Sequence, residues 1–176
     1  HTGVEPDLIT MAKSLAGGFP LSALVGKKRL MEKALPGGLG GTYAGSPVAI
    51  AAALAVTDLI KEEQLNQKAQ QVGEQITTEL HALAERFDCI GDIRAVGAMV
   101  AMELVENRDA AKPNKAITSA LVKEAGKQGL ILLSCGVRGN VIRFLAPLTA
   151  EKEVIKEGME KLASALSVVT KTVQNA

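Results

Sequence analysis

Leu8-Ile9-Thr10-Met11-Ala12-Lys13-Ser14-Leu15-Ala16-Gly17-Gly18-Phe19-Pro20 is an apolar run that stops at a lysine and then breaks on glycines. Pro6-Asp7 supply turn chemistry ahead of it, and the run reads as a short buried strand. Gly17 and Gly18 permit positive φ and Pro20 fixes φ, so the strand ends at Lys13. In open α/β sheets, ligands sit just outside strand C-termini. An amine there can project into a cleft and, once uncharged, act as a nucleophile. It can equally be a lysine that snorkels from a strand end into water.

Outward from this stretch, Leu21 to Gly26 is a second strand candidate and Lys27 to Lys33 a polar helical stretch. Pro36-Gly37-Gly38-Leu39-Gly40-Gly41 cannot be regular structure, and its glycine density suits close approach of backbone to a ligand or another chain. Gly41-Thr42 offers backbone N–H groups and a hydroxyl, a chemistry suited to a phosphate ester. It is not a P-loop, because no Lys-Ser/Thr follows at the required distance, and a bare surface loop is the competing reading. Ser46 is an N-cap and Pro47 an N1 residue for a helix from Val48 to Ile60, whose many alanines imply packing on more than one side.

Past Glu63-Gln64 the pattern changes to regular alternation. Leu65 to Phe87 carries Val72, Ile76, Leu80 and Leu83 at three-to-four spacing, an amphipathic helix. Asp92 to Gly97 and Ala98 to Val105 read as paired strands about a glycine bend. Lys115 to Gln128 is a helix closed by Gly129. Leu130 to Ser134 and Val141 to Leu145 form a hairpin across Gly136 and Gly139-Asn140. A last helix runs from about Ala150 to Thr170, capped by Thr149. Arg143 sits inside the apolar strand Val141-Ile142-Arg143-Phe144-Leu145. A guanidinium there needs a partner: a planar carboxylate ligand, or an acidic residue of the same chain.

Composition narrows the function classes. The chain has 176 residues, net charge +1 and 2% aromatic residues, which disfavours nucleic acid as a partner. No apolar run approaches the roughly 20 residues of a membrane span. Cys89 and Cys135 show no metal-ligand spacing, so reduced thiols, no metal and a cytoplasmic setting are expected. His1 is not Met, and His1-Thr2-Gly3-Val4 reads as the interior of a loop, as expected of a piece of a longer chain.

Three stretches in order resemble the class III (omega) pyridoxal-phosphate aminotransferases: Leu8 to Ser22, Pro36 to Ala49, and Gly129 to Gly136 running on to Asn140–Thr149. The wording is closest to bacterial 4-aminobutyrate aminotransferases. The resemblance implies an α/β fold, that of the fold-type I PLP-dependent transferases. Residues 1–64 would be the C-terminal part of the large cofactor domain and residues 65–176 the small C-terminal α+β domain. It implies that Lys13 forms the Schiff base with pyridoxal 5′-phosphate, that Thr42 with Gly41 binds the cofactor phosphate across a dimer interface, and that Arg143 binds the substrate α-carboxylate. The implied reaction moves an amino group from an ω-amino acid to 2-oxoglutarate in a homodimer. The acidic partner of the pyridine nitrogen, the phosphate loop at a helix N-terminus, the ring-stacking aromatic and the arginine for the substrate side chain lie upstream of the lysine in that family. The chain alone is therefore expected to be inactive without the preceding part of the protein. An ornithine-type aminotransferase, an aminomutase or a purely structural, dimer-forming piece are the alternatives.

Overall fold

The computed structural model describes residues 3–174. The expected loop-like opening at His1 and Thr2 lies outside them. The chain divides into two compact units, residues 1–65 and 66–176.

In the first unit, β1 (Leu8–Met11) pairs antiparallel with β2 (Ala23–Gly26), Leu8 opposite Gly26 and Met11 opposite Ala23. A 3-10 turn, Lys13–Ala16, leads out of β1 and ends on Gly17 at φ +59°. Helix α1 (Lys28–Met31) is one turn long. Its approach is fixed by Asp7, whose carboxylate accepts from Arg29 at 2.7 Å and pairs with Lys27 at 3.1 Å. Residues 36–46 are irregular, and α2 (Pro47–Glu62) follows with Pro47 in its first turn. Ser46 stands at the N-cap, yet its hydroxyl makes no capping bond; its carbonyl accepts from the Ile50 N–H at 3.0 Å.

Two expectations fail in this unit. β1 forms but is exposed throughout, Leu8 at 49% and Ile9 at 46%. An apolar strand is buried on both faces only where a sheet is covered on both, and β1 has one partner strand among the described residues. Helix α2 likewise buries only Ala49, with Val48 and Leu54 exposed.

The second unit carries a full core. Helix α3 (Leu65–Arg86) buries Val72, Ile76, Leu80 and Leu83, the spacing the sequence predicts. Strands β3 (Ile90–Val96) and β4 (Met99–Glu106) pair antiparallel about Gly97 at φ +54°. A short strand the sequence reading lacked, β5 (Asp109–Pro113), pairs with β4. Its hairpin turns on Asn107 and Arg108, both at positive φ, which suits a tight two-residue turn. Arg108 is held by Asp88 at 2.8 Å and by the Ala84 carbonyl at 3.1 Å. Helix α4 (Lys115–Lys127) starts on Asn114, whose side chain accepts from the Ile117 N–H at 2.9 Å. It stops on Gly129 at φ +79°, with Leu130 N–H bonded to the Ala125 carbonyl and Gly129 N–H to Gly126, a Schellman closure.

β6 (Leu133–Cys135) and β7 (Val141–Leu145) complete an antiparallel sheet in the order β3-β4-β7-β6. Helix α5 (Lys152–Gln174) begins two residues later than expected, because Pro147 to Ala150 first closes a turn, Ala150 N–H to Pro147 carbonyl at 3.0 Å. Thr149 is therefore not its cap. Helices α3, α4 and α5 and one sheet face bury a single cluster around Leu80, Met102, Leu121, Ile142 and Leu162.

Helix α3 sits directly on the β3–β4 turn. A Cβ at Gly73 would lie 2.0 Å from the Gly97 carbonyl oxygen and 2.6 Å from its carbon. The obstacle is backbone, so it cannot swing away. Gly73→Ala should therefore lower stability by at least about 1–3 kcal/mol despite alanine's better helix propensity. Urea unfolding followed by far-UV circular dichroism checks it, and an unchanged or higher midpoint would contradict the packing.

Candidate active site

The lysine that ends β1 is conformationally unusual. Lys13 has φ +57°, a left-handed backbone that costs a non-glycine residue roughly 1–3 kcal/mol and gathers at functional sites. It borders an open cleft of about 580 Å³ whose polar lining comes from Thr10, Lys13 and Ser22. Thr10 and Ser22 are site neighbours that the sequence reading did not single out; they sit near facing ends of the β1–β2 hairpin, where register rather than motif brings them together. The lysine is exposed.

What aims Lys13 is the turn after it. Ala16 is fully buried, and Gly17 donates its N–H to the Ser14 carbonyl at 3.2 Å. Gly17 lies against α2, because a Cβ there would come 3.3 Å from Cγ2 of Val56. Gly41 and Thr42 are exposed and are not among the residues lining the Lys13 cleft. Gly37, Gly40 and Gly45 have positive φ, and no atom lies within 4 Å of a Cβ built on any of them or on Gly41. The glycines at 37, 40 and 45 thus serve backbone conformation, and none of the described residues occupies the space where their side chains would stand.

Arg143 belongs to the second unit. It stands on β7 between Ala101 of β4 and Leu133 of β6. Its Nε is buried and has no hydrogen-bond partner, and no ion pair reaches its guanidinium among the described residues. Among the described residues, no acidic side chain forms the internal ion pair that the sequence left open. Arg143 shares the lining of an otherwise apolar groove of about 280 Å³, while its strand position turns its side chain to the sheet face opposite the core-packed Ile142 and Phe144. An orphaned guanidinium in such a place fits a carboxylate, which offers two oxygens in the matching plane.

Other candidates recede. Burial pushes the Cys89 thiol up to about 11, which suits an inert packing residue and not a nucleophile. Among the described residues no three His, Cys, Asp or Glu side chains are grouped to hold a metal ion, and no helix is long and apolar enough to cross a membrane.

Comparison with known proteins adds the family. The model of the class III aminotransferases matches residues 1–166. The 4-aminobutyrate aminotransferase GabT of Escherichia coli is 50% identical over 158 residues, 90% of this chain and 37% of its own. The 5-aminovalerate aminotransferase DavT of Pseudomonas putida is 50% identical over 157 residues, 89% and 37%. An amine transaminase from an uncultivated Pseudomonas species, solved with pyridoxal phosphate bound, superposes with a TM-score of 0.83 at 30% identity, covering 95% of this chain and 39% of that one. The chain spans about two fifths of the length of the relatives it matches. Its architecture is that of these transaminases, the fold-type I class expected from the sequence.

The unpaired Arg143 carries a stability prediction. A buried, unsatisfied polar group costs about 1–3 kcal/mol, and an unbranched apolar chain of similar length removes that cost. Arg143→Met should therefore hold or raise the unfolding free energy of this chain, by up to about 1–3 kcal/mol. A loss of several kcal/mol in chemical denaturation would mean that Arg143 serves the fold.

Proposed function

This chain belongs to the class III aminotransferases, and on that premise we propose that the whole protein moves an amino group from an ω-amino acid of the 4-aminobutyrate kind to 2-oxoglutarate, using pyridoxal 5′-phosphate. Residues 1–65 are then the end of the large cofactor domain and residues 66–176 the small domain. The observation that carries the reading is Lys13: an amine on a strained backbone, at the lip of a cleft, within the first of three stretches that read in family order.

The cofactor supplies an electron sink for the carbon that bears the substrate nitrogen. With the cofactor bound, Lys13 would hold it covalently through Nζ, and the same Nζ, once free, would serve as the acid–base group for the proton on the amine-bearing carbon. Thr42 donates its hydroxyl hydrogen, and Gly41 lends its open backbone, to the cofactor phosphate. The exposure of this loop and its separation from the Lys13 cleft support a site on a neighbouring subunit. Arg143 takes the α-carboxylate of glutamate or 2-oxoglutarate in a two-oxygen grip, which satisfies its buried Nε and fixes the orientation of the reacting carbon. An ω-amino donor of four or five carbons meets the same machinery.

Borohydride reduction of the full-length holoenzyme and peptide mapping should place the pyridoxyl mass on Lys13; label on Lys27 or Lys28 would overturn the assignment. Lys13→Ala should abolish turnover, and Lys13→Arg should not restore it, since a guanidinium stays protonated.

Thr42→Ala should weaken cofactor binding by about 1–3 kcal/mol. Mixed with Lys13→Ala subunits, it should give heterodimers that regain one site with both residues intact. Absence of recovery would place Thr42 on the same chain's site.

A further inference from the structure

The strand that carries Arg143 lies between β4 and β6, and register fixes its neighbours. Ala101 of β4 stands opposite Arg143 on one side and Leu133 of β6 on the other. Arg94 of β3 is in turn opposite Ala101. Residues paired in this way share a sheet face, so the four form one row on the face away from helices α3, α4 and α5. Ala101 is the one small side chain in that row.

Directly paired residues have Cβ atoms about 4.5–5.5 Å apart. An arginine side chain reaches farther than that, so the residue at 101 decides whether Arg143 can extend across β4. Over Ala101 only a methyl group stands in the way, whereas Leu133 fills the other flank with a branched chain. The Nε of Arg143 is buried, so its stem is laid against protein atoms and not raised into solvent.

A larger side chain at 101 would have few directions to take. It cannot turn inward, because Val100 and Met102 on either side of it in β4 already fill the core. Toward β3 the space is occupied by the ion cluster in which Arg94 Nη1 lies 2.7 Å from Glu103 Oε1 and 2.5 Å from Asp92 Oδ2. The courses left run along its own strand toward Met99 and across the row toward Arg143.

We propose that Ala101 is a positioning residue for the substrate α-carboxylate: its methyl group leaves the clearance over β4 in which the Arg143 guanidinium meets the two oxygens. The proposal deepens the reading of Arg143 as the carboxylate grip and rests on it. Ala101 touches no substrate. It acts through the arginine beside it, because a two-oxygen contact tolerates little displacement.

The test uses the full-length holoenzyme with Ala101→Val and Ala101→Leu. Valine suits a strand and adds bulk close to the backbone, and leucine reaches farther out. KM for glutamate and 2-oxoglutarate should rise in order of reach, about threefold for Ala101→Val and about tenfold for Ala101→Leu. KM for 4-aminobutyrate, which has no α-carboxylate, should move much less. Glutarate, an unreactive dicarboxylate probe, should bind more weakly in the same order by calorimetry, a readout that involves no turnover. Equal rises for all three substrates, rises in another order, or glutarate affinity held at the wild-type value each overturn the proposal. If Ala101→Leu does not fold, Ala101→Val decides by the same split between substrates. Arg143→Lys tests the underlying reading separately. If it raises KM for the two α-carboxylate substrates while the Ala101 variants do not, the clearance fails and the grip stands; if it leaves them unchanged, the grip itself is wrong and the inference falls with it.

Discussion

The second unit hangs on the backbone of Leu104. Its N–H donates to the Asn140 carbonyl at 2.7 Å, and its own carbonyl accepts from Asn140 Nδ2 at 3.0 Å and from the Asn114 N–H at 2.9 Å. Asn140 is almost completely buried, so each of these bonds is made where water cannot substitute. Three elements meet at that residue: β4, the entry to β7 and the cap of α4. The amide of Asn140 locks the residue before β7 to β4, which fixes the register that puts Arg143 opposite Ala101. A slip of one position would turn Arg143 into the helix-covered core and Ile142 out of it.

Once the register is set, the two sheet faces separate by role. The face under α3, α4 and α5 takes the large apolar side chains and supplies the stability. The other face carries Arg143 and the Asp92–Arg94–Glu103 cluster among exposed apolar residues such as Met99 and Leu133. The two carboxylates raise the Arg94 guanidinium above its ordinary value, Asp92 more than Glu103. Cation and anion are thus matched on β3 and β4 but not on β7. Stability is not the reason to keep Arg143 there; a fold selected for that alone would fill the position with an apolar residue or give it the acid.

Legibility in the sequence followed how local each signal was. Helix α3 could be read because its spacing reports a core that lies within the same unit, and α4 because Gly129 announces its end, its Asn114 cap appearing only in the structure. The β3–β4 and β6–β7 hairpins could be read from Gly97 and from Gly136 to Asn140. β5 could not: its turn, Asn107-Arg108, places an arginine at positive φ, which tertiary contacts with Asp88 and Ala84 sustain and composition does not advertise. The burial of β1 and α2 was misread for the opposite reason, because apolar runs state a need for cover without saying what supplies it. Among candidate site residues, Lys13, Thr42 and Arg143 stood out through motif and type. Thr10 and Ser22 did not, since strand pairing brings them into place.

In the first unit the same economy applies to backbone. Lys13 and Thr42 both carry free side chains on segments whose main chain is constrained, the one at φ +57°, the other in a loop with positive φ at Gly37, Gly40 and Gly45. One element bears on both. Helix α2 leaves the glycine loop at Ser46–Pro47, and its Val56 lies against Gly17 two turns later, immediately past the turn that presents Lys13. A bulkier residue at Gly17 would meet an unfavourable φ and Val56 together, so the glycine permits the helix to close on the lysine turn. Among the described residues neither side chain is bonded, and the unusual φ values lie in the backbone, beside the packed Ala16 and Ala49. If the two side chains serve the proposed site, their backbone is ordered by the fold before any ligand arrives, which is pre-organisation.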